Sequence, residues 1–299
     1  MLPRTALFGL CCHVCLGCMP ATNGGSPASL SKTIYDIDFE GYYEGGSYTS
    51  SSVLVMEYDP QTDQFTRFFL DGNTLAWEPA YALQSDGNGG YSHTYEDCST
   101  QCETFNIFLK DVVFDSETDV ISGFAGAGWG DAPGGTGPFV AGTPSNPADV
   151  SARIGKATFE GEISMLVSRA FAFVPGKGDV AITLDFGSLG SANCSGCTGH
   201  VYFPSGQFGS AQSGEVNAKI EQFIVGSDGL SARIIIDPAE IGLDSLPDVP
   251  LSAGYYGDAV NTLAGTFAAV GLETSTPSWS TSAETFDSPV FGYMIANEK

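Results

Sequence analysis

The stretch "KATFEGEISM", residues 156–165, alternates without a break. Ala157, Phe159, Gly161, Ile163 and Met165 fall on one side, and Lys156, Thr158, Glu160, Glu162 and Ser164 on the other. Strand side chains switch faces at every residue, whereas a helix repeats only every ~3.6 residues, so this segment buries one face only as a β-strand. "AITLDFG" repeats the pattern, with Ile182, Leu184 and Phe186 set against Thr183 and Asp185. Further runs at 199–203, 217–225, 229–237, 252–256, 263–270 and 289–296 bring the count after residue 155 to about eight strands. Their spacing is that of an antiparallel barrel or sandwich. "EVNAKIEQF" suits helix or strand alike, and Asp237-Pro238 ends its strand because proline cannot donate to a ladder.

Before residue 150 the same reading is coarser. Two apolar-aromatic runs flank Asp59-Pro60-Gln61-Thr62-Asp63 and predict a hairpin, and Asp71-Gly72 marks another turn. "ETFNIFLKDVVFD" and "TDVISGFAGAG" continue the strand pattern. Residues 126–151 hold many glycines and prolines with little periodicity, which predicts a long loop or inter-domain connection. Trp129 and Phe139 lie in it. An aromatic among glycines has little to bury against locally, so both are candidate ligand-binding residues; packing of Trp129 at a domain junction is the other reading.

Acidic residues number 35 against 11 lysines and arginines, a net charge of −24. That surface repels phosphate backbones and argues against nucleic-acid partners and against charge-driven adhesion to anionic lipid. A transmembrane barrel would need apolar outward faces, yet Glu160, Glu162, Asp185 and Arg233 lie there, so the expected barrel is water-facing and filled by its own side chains.

The first 17 residues carry Arg4 and then a short apolar run from Ala6, too short for the ~20 residues of a membrane-spanning helix but of signal-peptide length. Leu16-Gly17-Cys18 then precedes a Ser/Gly/Asn/Pro stretch over 18–32. This resembles the lipobox of bacterial lipoproteins, with Cys15 where that motif has leucine, and it implies acylation at Cys18. Cleavage after Ala21 is the alternative. Of the remaining cysteines, "CSTQC" holds Cys98 and Cys102, and "CSGC" holds Cys194 and Cys197. In an exported chain close pairs read as two local disulfides; a zinc site drawing on both pairs is the alternative, opposed by oxidation on export and by their ~90-residue separation.

Catalytic signatures are lacking. There is no HExxH, GxSxG, phosphate-binding loop or dinucleotide fingerprint, and after the leader the only histidines are His93 and His200. Carboxylates are many but without constraining spacing. The expectation is a protein that is not an enzyme, with no cofactor and no metal; an exported hydrolase is the least favoured alternative.

One C-terminal segment carries a resemblance. "AGYYGDAVNTLAGTF", residues 253–267, is similar to the closing motif of the transferrin-binding-protein-B-like β-barrel domain, roughly F-Y-G-x-x-A-x-x-x-x-G-x-F. Tyr256, Gly257, Gly265 and Phe267 match it; Tyr255 replaces phenylalanine, Asp258 a proline, and Ala259 comes one position early. "ATFEGEI", "GDVAITLDFGSLG" and the final "SPVFGYMIANEK" look like that domain's first, second and last strands. The resemblance covers about residues 150–299. It implies an all-β fold: a β-rich handle over 33–150, then an eight-stranded antiparallel barrel over 151–299. Within it Gly254 and Gly257 are expected to bend a strand at the barrel rim, Asp258 to cap one helical turn over 259–263, and Phe267 to re-enter the core. It also implies a lipid-anchored protein of the Gram-negative outer membrane, exposed at the cell surface and capturing an iron carrier, haem or haemoprotein, or another solute. An adhesive, structural or host-factor-binding surface lipoprotein without a solute ligand is the alternative.

Overall fold

The computed structural model describes residues 33–299 except 44–45, 60–61, 63, 72–82, 88, 98–102, 116–117, 130–135, 170–171, 210–211 and 277–280. For strand residues 33–55, 66–71, 95–97, 103–105 and 127–129 only the backbone is described. The expected leader, the linker with Cys18, and the Cys98 and Cys102 pair lie outside the described residues.

The alternating C-terminal half forms a closed barrel of eight strands: β9 (Lys156–Arg169), β10 (Ala172–Asp185), β11 (Thr198–Phe203), β12 (Val216–Val225), β13 (Leu230–Ile235), β14 (Val249–Tyr256), β15 (Thr262–Ser275) and β16 (Glu284–Glu298). Every pairing is antiparallel, and β16 closes the ring against β9 with Val290 opposite Val167 and Met294 opposite Ile163. The ambiguous "EVNAKIEQF" is strand β12. The period-two faces sort as their chemistry requires. Phe159, Ile163, Met165, Ile182, Leu184, Phe203, Ile220, Ile234, Leu251 and Met294 all lie in one buried core. Each large aliphatic or aromatic side chain taken from water contributes about 1.5–3 kcal/mol, so this interior dominates the barrel's stability.

Small and large residues alternate inside it. A Cβ at Gly176 would strike the Phe208 ring, and one at Gly199 would strike Ile220 and press on the Phe223 ring. Glycine here makes room for a neighbour's aromatic ring, the packing that lets a narrow barrel fill without voids.

Ahead of the barrel, β1 (Thr33–Tyr43), β2 (Gly46–Asp59), β3 (Gln64–Asp71), β4 (Gln84–Ser85), β5 (Tyr91–Asp97), β6 (Glu103–Asp115), β7 (Val120–Trp129) and β8 (Thr136–Ala141) form one sheet in the order β3-β2-β1-β8-β7-β6-β5-β4. The predicted hairpin is β2–β3. The sheet curls: the Leu83 N–H donates to the Phe65 carbonyl at 3.0 Å, bringing its two edges together. Met56, Phe65, Tyr91, Ile107, Leu109, Ile121 and Phe139 fill the inside of that curl.

Two expectations are corrected. Residues 126–151 are not one long loop: β7 runs on to Trp129, β8 follows, and α1 (Pro147–Ala152) comes after. Glycines weaken a strand on their own, but here "GFAGAGW" is held between β6 and β8. Nor is there a helical turn over 259–263. Gly257 and Val260 both adopt left-handed backbone, at φ +81° and +58°, which a right-handed helix excludes; a tight turn leads straight into β15.

Candidate functional site

A barrel can offer its lumen, its mouths or its wall. The lumen is taken up by the core described above. At one mouth α1 acts as the stopper. Asn146 caps it by accepting from the Ala148 N–H at 2.9 Å, and Val150 is fully buried against the barrel core. Arg153, just past the helix, stacks over the Phe186 ring at 4.8 Å, donates to the Val260 carbonyl at 2.6 Å and pairs with Glu298. Beneath it the Tyr255 side chain is 2 % exposed, and its hydroxyl finds no partner. Burial pushes that phenol well above its ordinary range, more than the nearby Arg153 charge draws it down. The other mouth is closed by Phe208 and by Ile241, which sits in a short turn whose cap is Asp237. Arg169 donates to the Phe208 carbonyl at 3.1 Å.

Part of the outer wall is also covered. Strands β9 and β16 are buried on both faces where the N-terminal sheet lies on them, which explains the unbroken apolar "VFGYMIA" of the last strand. Phe124 of β7 meets Phe291 and Tyr293 of β16, and Phe173 packs edge-on to Phe291. The Tyr293 hydroxyl donates to the Asp111 carbonyl, and Lys177 pairs with the Asp111 carboxylate at 2.7 Å.

The walls of β10–β12 and of β13–β15 stay open, and the second is hollowed. Together with β8 of the sheet and the rim of β12 it encloses an open groove of about 1240 Å³. Its floor is built mostly of short side chains, with Arg233 of β13 the one long outward residue among them. Ser231 stands opposite Ser252, and Ser252 opposite Thr266, so three outward hydroxyls form a row across three strands. Tyr256 and Ile224 flank it; Ile224 is 49 % exposed. A smaller recess of about 470 Å³ adjoins it and shares Asn193 and Gln222 with the groove. Gln222 sits in a bulge of β12 with φ +58°, a conformation that costs a non-glycine residue about 1–3 kcal/mol.

The sequence-derived candidates fall as follows. Cys194 and Cys197 form a disulfide beside the smaller recess. Phe139 is fully buried inside the curled sheet, so its ring is core. Trp129 ends β7, and its side chain lies outside the described residues. Gly254, Tyr255, Tyr256, Gly265 and Phe267 lie in β14 and β15, and Gly257 makes the turn between them. Of the barrel-motif residues Gly254, Tyr256, Gly265 and Phe267 border the groove, and Phe139 of β8 borders it as well, although its ring is buried. Ser231, Ser252, Thr266 and Arg233 were not singled out as site residues: they are ordinary outward positions until the register places them side by side. Among the described residues no three metal-ligating side chains cluster, and no helix is long and apolar enough to cross a membrane.

No protein-family model matches the chain, and no curated relative matches it. Solved structures do. Transferrin binding protein B from serogroup B Neisseria meningitidis aligns at 11 % identity over 84 % of this chain and 51 % of its own, with a TM-score of 0.40. Intact Ap-TbpB, with N and C lobes, aligns at 13 % identity over 83 % and 52 %, also at 0.40. A mutant of the Haemophilus parasuis Hp5 protein aligns at 12 % identity over 90 % and 77 %, at 0.32. The chain spans about half the length of the first two, and the likeness is one of fold.

Proposed function

We propose that this is an exported, lipid-anchored surface protein that binds its partner on the outside of the barrel and is not an enzyme. The observation that carries the reading is the stoppered, side-chain-filled barrel with an open groove on its wall among the described residues. The uncovered wall also bears Asp179, Asp185, Lys219 and Glu221, charged residues that do not belong against lipid, which supports a lipid anchor at the Leu16-Gly17-Cys18 leader over a membrane-spanning barrel. The sequence resemblance favours the outer membrane and the cell surface as the location. It offers an iron carrier, a haem or haemoprotein, or another solute as ligand class, and the solved structures that share the fold carry transferrin binding in their names.

A second reading, adhesion or host-factor binding without a solute ligand, is favoured by the same filled lumen, which leaves small solutes no enclosed chamber among the described residues. Two experiments test the proposal. Cys18→Ala should move the protein from the detergent phase to the soluble fraction; retention like the wild type removes the anchor. Capture from growth medium or host fluid by the full chain, read by mass spectrometry, should return a retained partner; repeated recovery of the bare protein removes the binding role.

A further inference from the structure

We infer that the groove on the β13–β15 wall is a binding site for a neutral oligosaccharide chain, an assignment that rests on the surface-binding reading above. The argument begins with charge. The chain carries a net −24, yet of the groove's lining residues only Asp228 and Arg233 are charged, and their signs are opposite. The groove is an electrically balanced window in an acidic surface. A polyanion is repelled by the whole molecule, and a polycation finds inside only Asp228, offset by Arg233. The complementary ligand is uncharged.

Hydrogen bonding narrows the class further. The floor is the face of a sheet, and its main-chain groups are consumed by the β13–β14–β15 ladders. A polypeptide laid there would have no strand edge to pair with, which is its usual source of affinity on a sheet. The free groups are side chains: the hydroxyls of Ser231, Ser252 and Thr266 and the amides of Asn193 and Gln222. None of these five side chains is engaged by another described residue. Hydroxyls and amides each donate and accept, which matches a polyol. The three hydroxyls repeat at the spacing of adjacent strands, about 4.8 Å, close to the length of one sugar ring. The Tyr256 ring and Ile224 supply the apolar flanks that sugar faces require. The lining holds no histidine, cysteine or methionine, so it has none of the usual protein ligands for haem iron apart from a tyrosine.

The test uses the full chain purified in detergent, with maltohexaose, cellohexaose and chitohexaose as neutral probes, a heparin hexasaccharide as the anionic control, and titration calorimetry as the readout. The expected result is saturable binding of at least one neutral probe and none of heparin. Ser252→Tyr should fill the floor and weaken that binding at least about tenfold, while Ala181→Tyr on the uncovered β10 wall leaves it unchanged. Should Ser252→Tyr fail to fold by thermal melting, the milder Ser231→Ala/Thr266→Ala pair is expected to weaken binding several-fold. Absence of binding by every neutral probe at millimolar concentration overturns the inference, as does binding that neither variant alters. The broader reading is judged separately: a blank glycan result beside a protein captured from host fluid defeats only the sugar assignment, and loss of that capture in Ser252→Tyr gives the groove to a polypeptide. Failure of both assays defeats both.

Discussion

Phe124 of β7 and Tyr293 of β16 meet with ring centroids 5.1 Å apart and planes tilted by 60°, joining the curled sheet to the barrel wall. Both are buried, and Leu166 and Phe291 complete the same cluster. Tilted aromatic pairs add about 0.5–1.5 kcal/mol beyond the area they bury. The contact lies on the outside of the barrel and so should be separable from the barrel's own core. Phe124→Ala is expected to cost about 3–5 kcal/mol of stability. Limited proteolysis should then cut faster between β8 and β9, near the domain boundary expected at residue 150, and leave a barrel fragment that starts close to Lys156. A fragment that is unfolded by circular dichroism would show that the barrel depends on the sheet.

The barrel was legible because its strands obey a strict two-residue period; Phe159, Ile182 and Leu184 declare their face in isolation. The sheet was less so. In β7 the glycines 123, 126 and 128 blank the pattern, and around Phe139 the residues Thr136, Gly137 and Pro138 hide a strand. The last strand broke the alternation because both its faces are covered, one by the core and one by Phe124 and its neighbours. The groove was illegible for a different reason. Ser231, Ser252 and Thr266 are far apart in the chain, and only the pairing of β13 with β14 and of β14 with β15 lines them up.

Tyr255 offers a test through its unpartnered hydroxyl. A buried donor without an acceptor costs about 1–3 kcal/mol, so Tyr255→Phe should be neutral or stabilising in a thermal melt. The pH dependence follows with it. Burial raises the Tyr255 and Tyr293 phenols in the folded state, while unfolded tyrosine titrates near pH ~10. The unfolded chain therefore loses these protons first. Stability is fully present below about pH 10 and drains away as pH rises from there toward the folded values. Tyr255→Phe should make that alkaline decline shallower; an unchanged slope in melts from pH 8 to pH 11 (roughly the window set by the unfolded value) would argue against it.

The Cys194–Cys197 disulfide closes a very small loop beside the β12 bulge, and the Cys194 N–H donates to the Phe223 carbonyl at 2.9 Å. Loop-closure entropy for so short a ring gives about 2 kcal/mol. Cys194→Ala/Cys197→Ala should lower stability by that order in denaturant titration without altering the barrel's far-ultraviolet spectrum. Peptide mapping without reduction should also link Cys98 to Cys102; a Cys98 linked to Cys194 or Cys197 would contradict the two local pairs.

The last prediction concerns how the barrel fills itself. The missing side chain of Gly176 is where the Phe208 ring lies, and that ring is one of the two stoppers at its mouth. Gly176→Ala should therefore overpack the site and cost about 1–3 kcal/mol. Phe208→Leu should cost a similar amount by leaving space. If the two positions share one volume, the double variant will be more stable than the sum of the single losses allows, with a coupling of at least about 0.5 kcal/mol. Strict additivity in a double-mutant cycle would mean that the glycine is needed for its backbone and not for the ring. Because Arg169 holds the Phe208 carbonyl in place, Arg169→Ala should reduce the coupling by letting the stopper move away from the added methyl group.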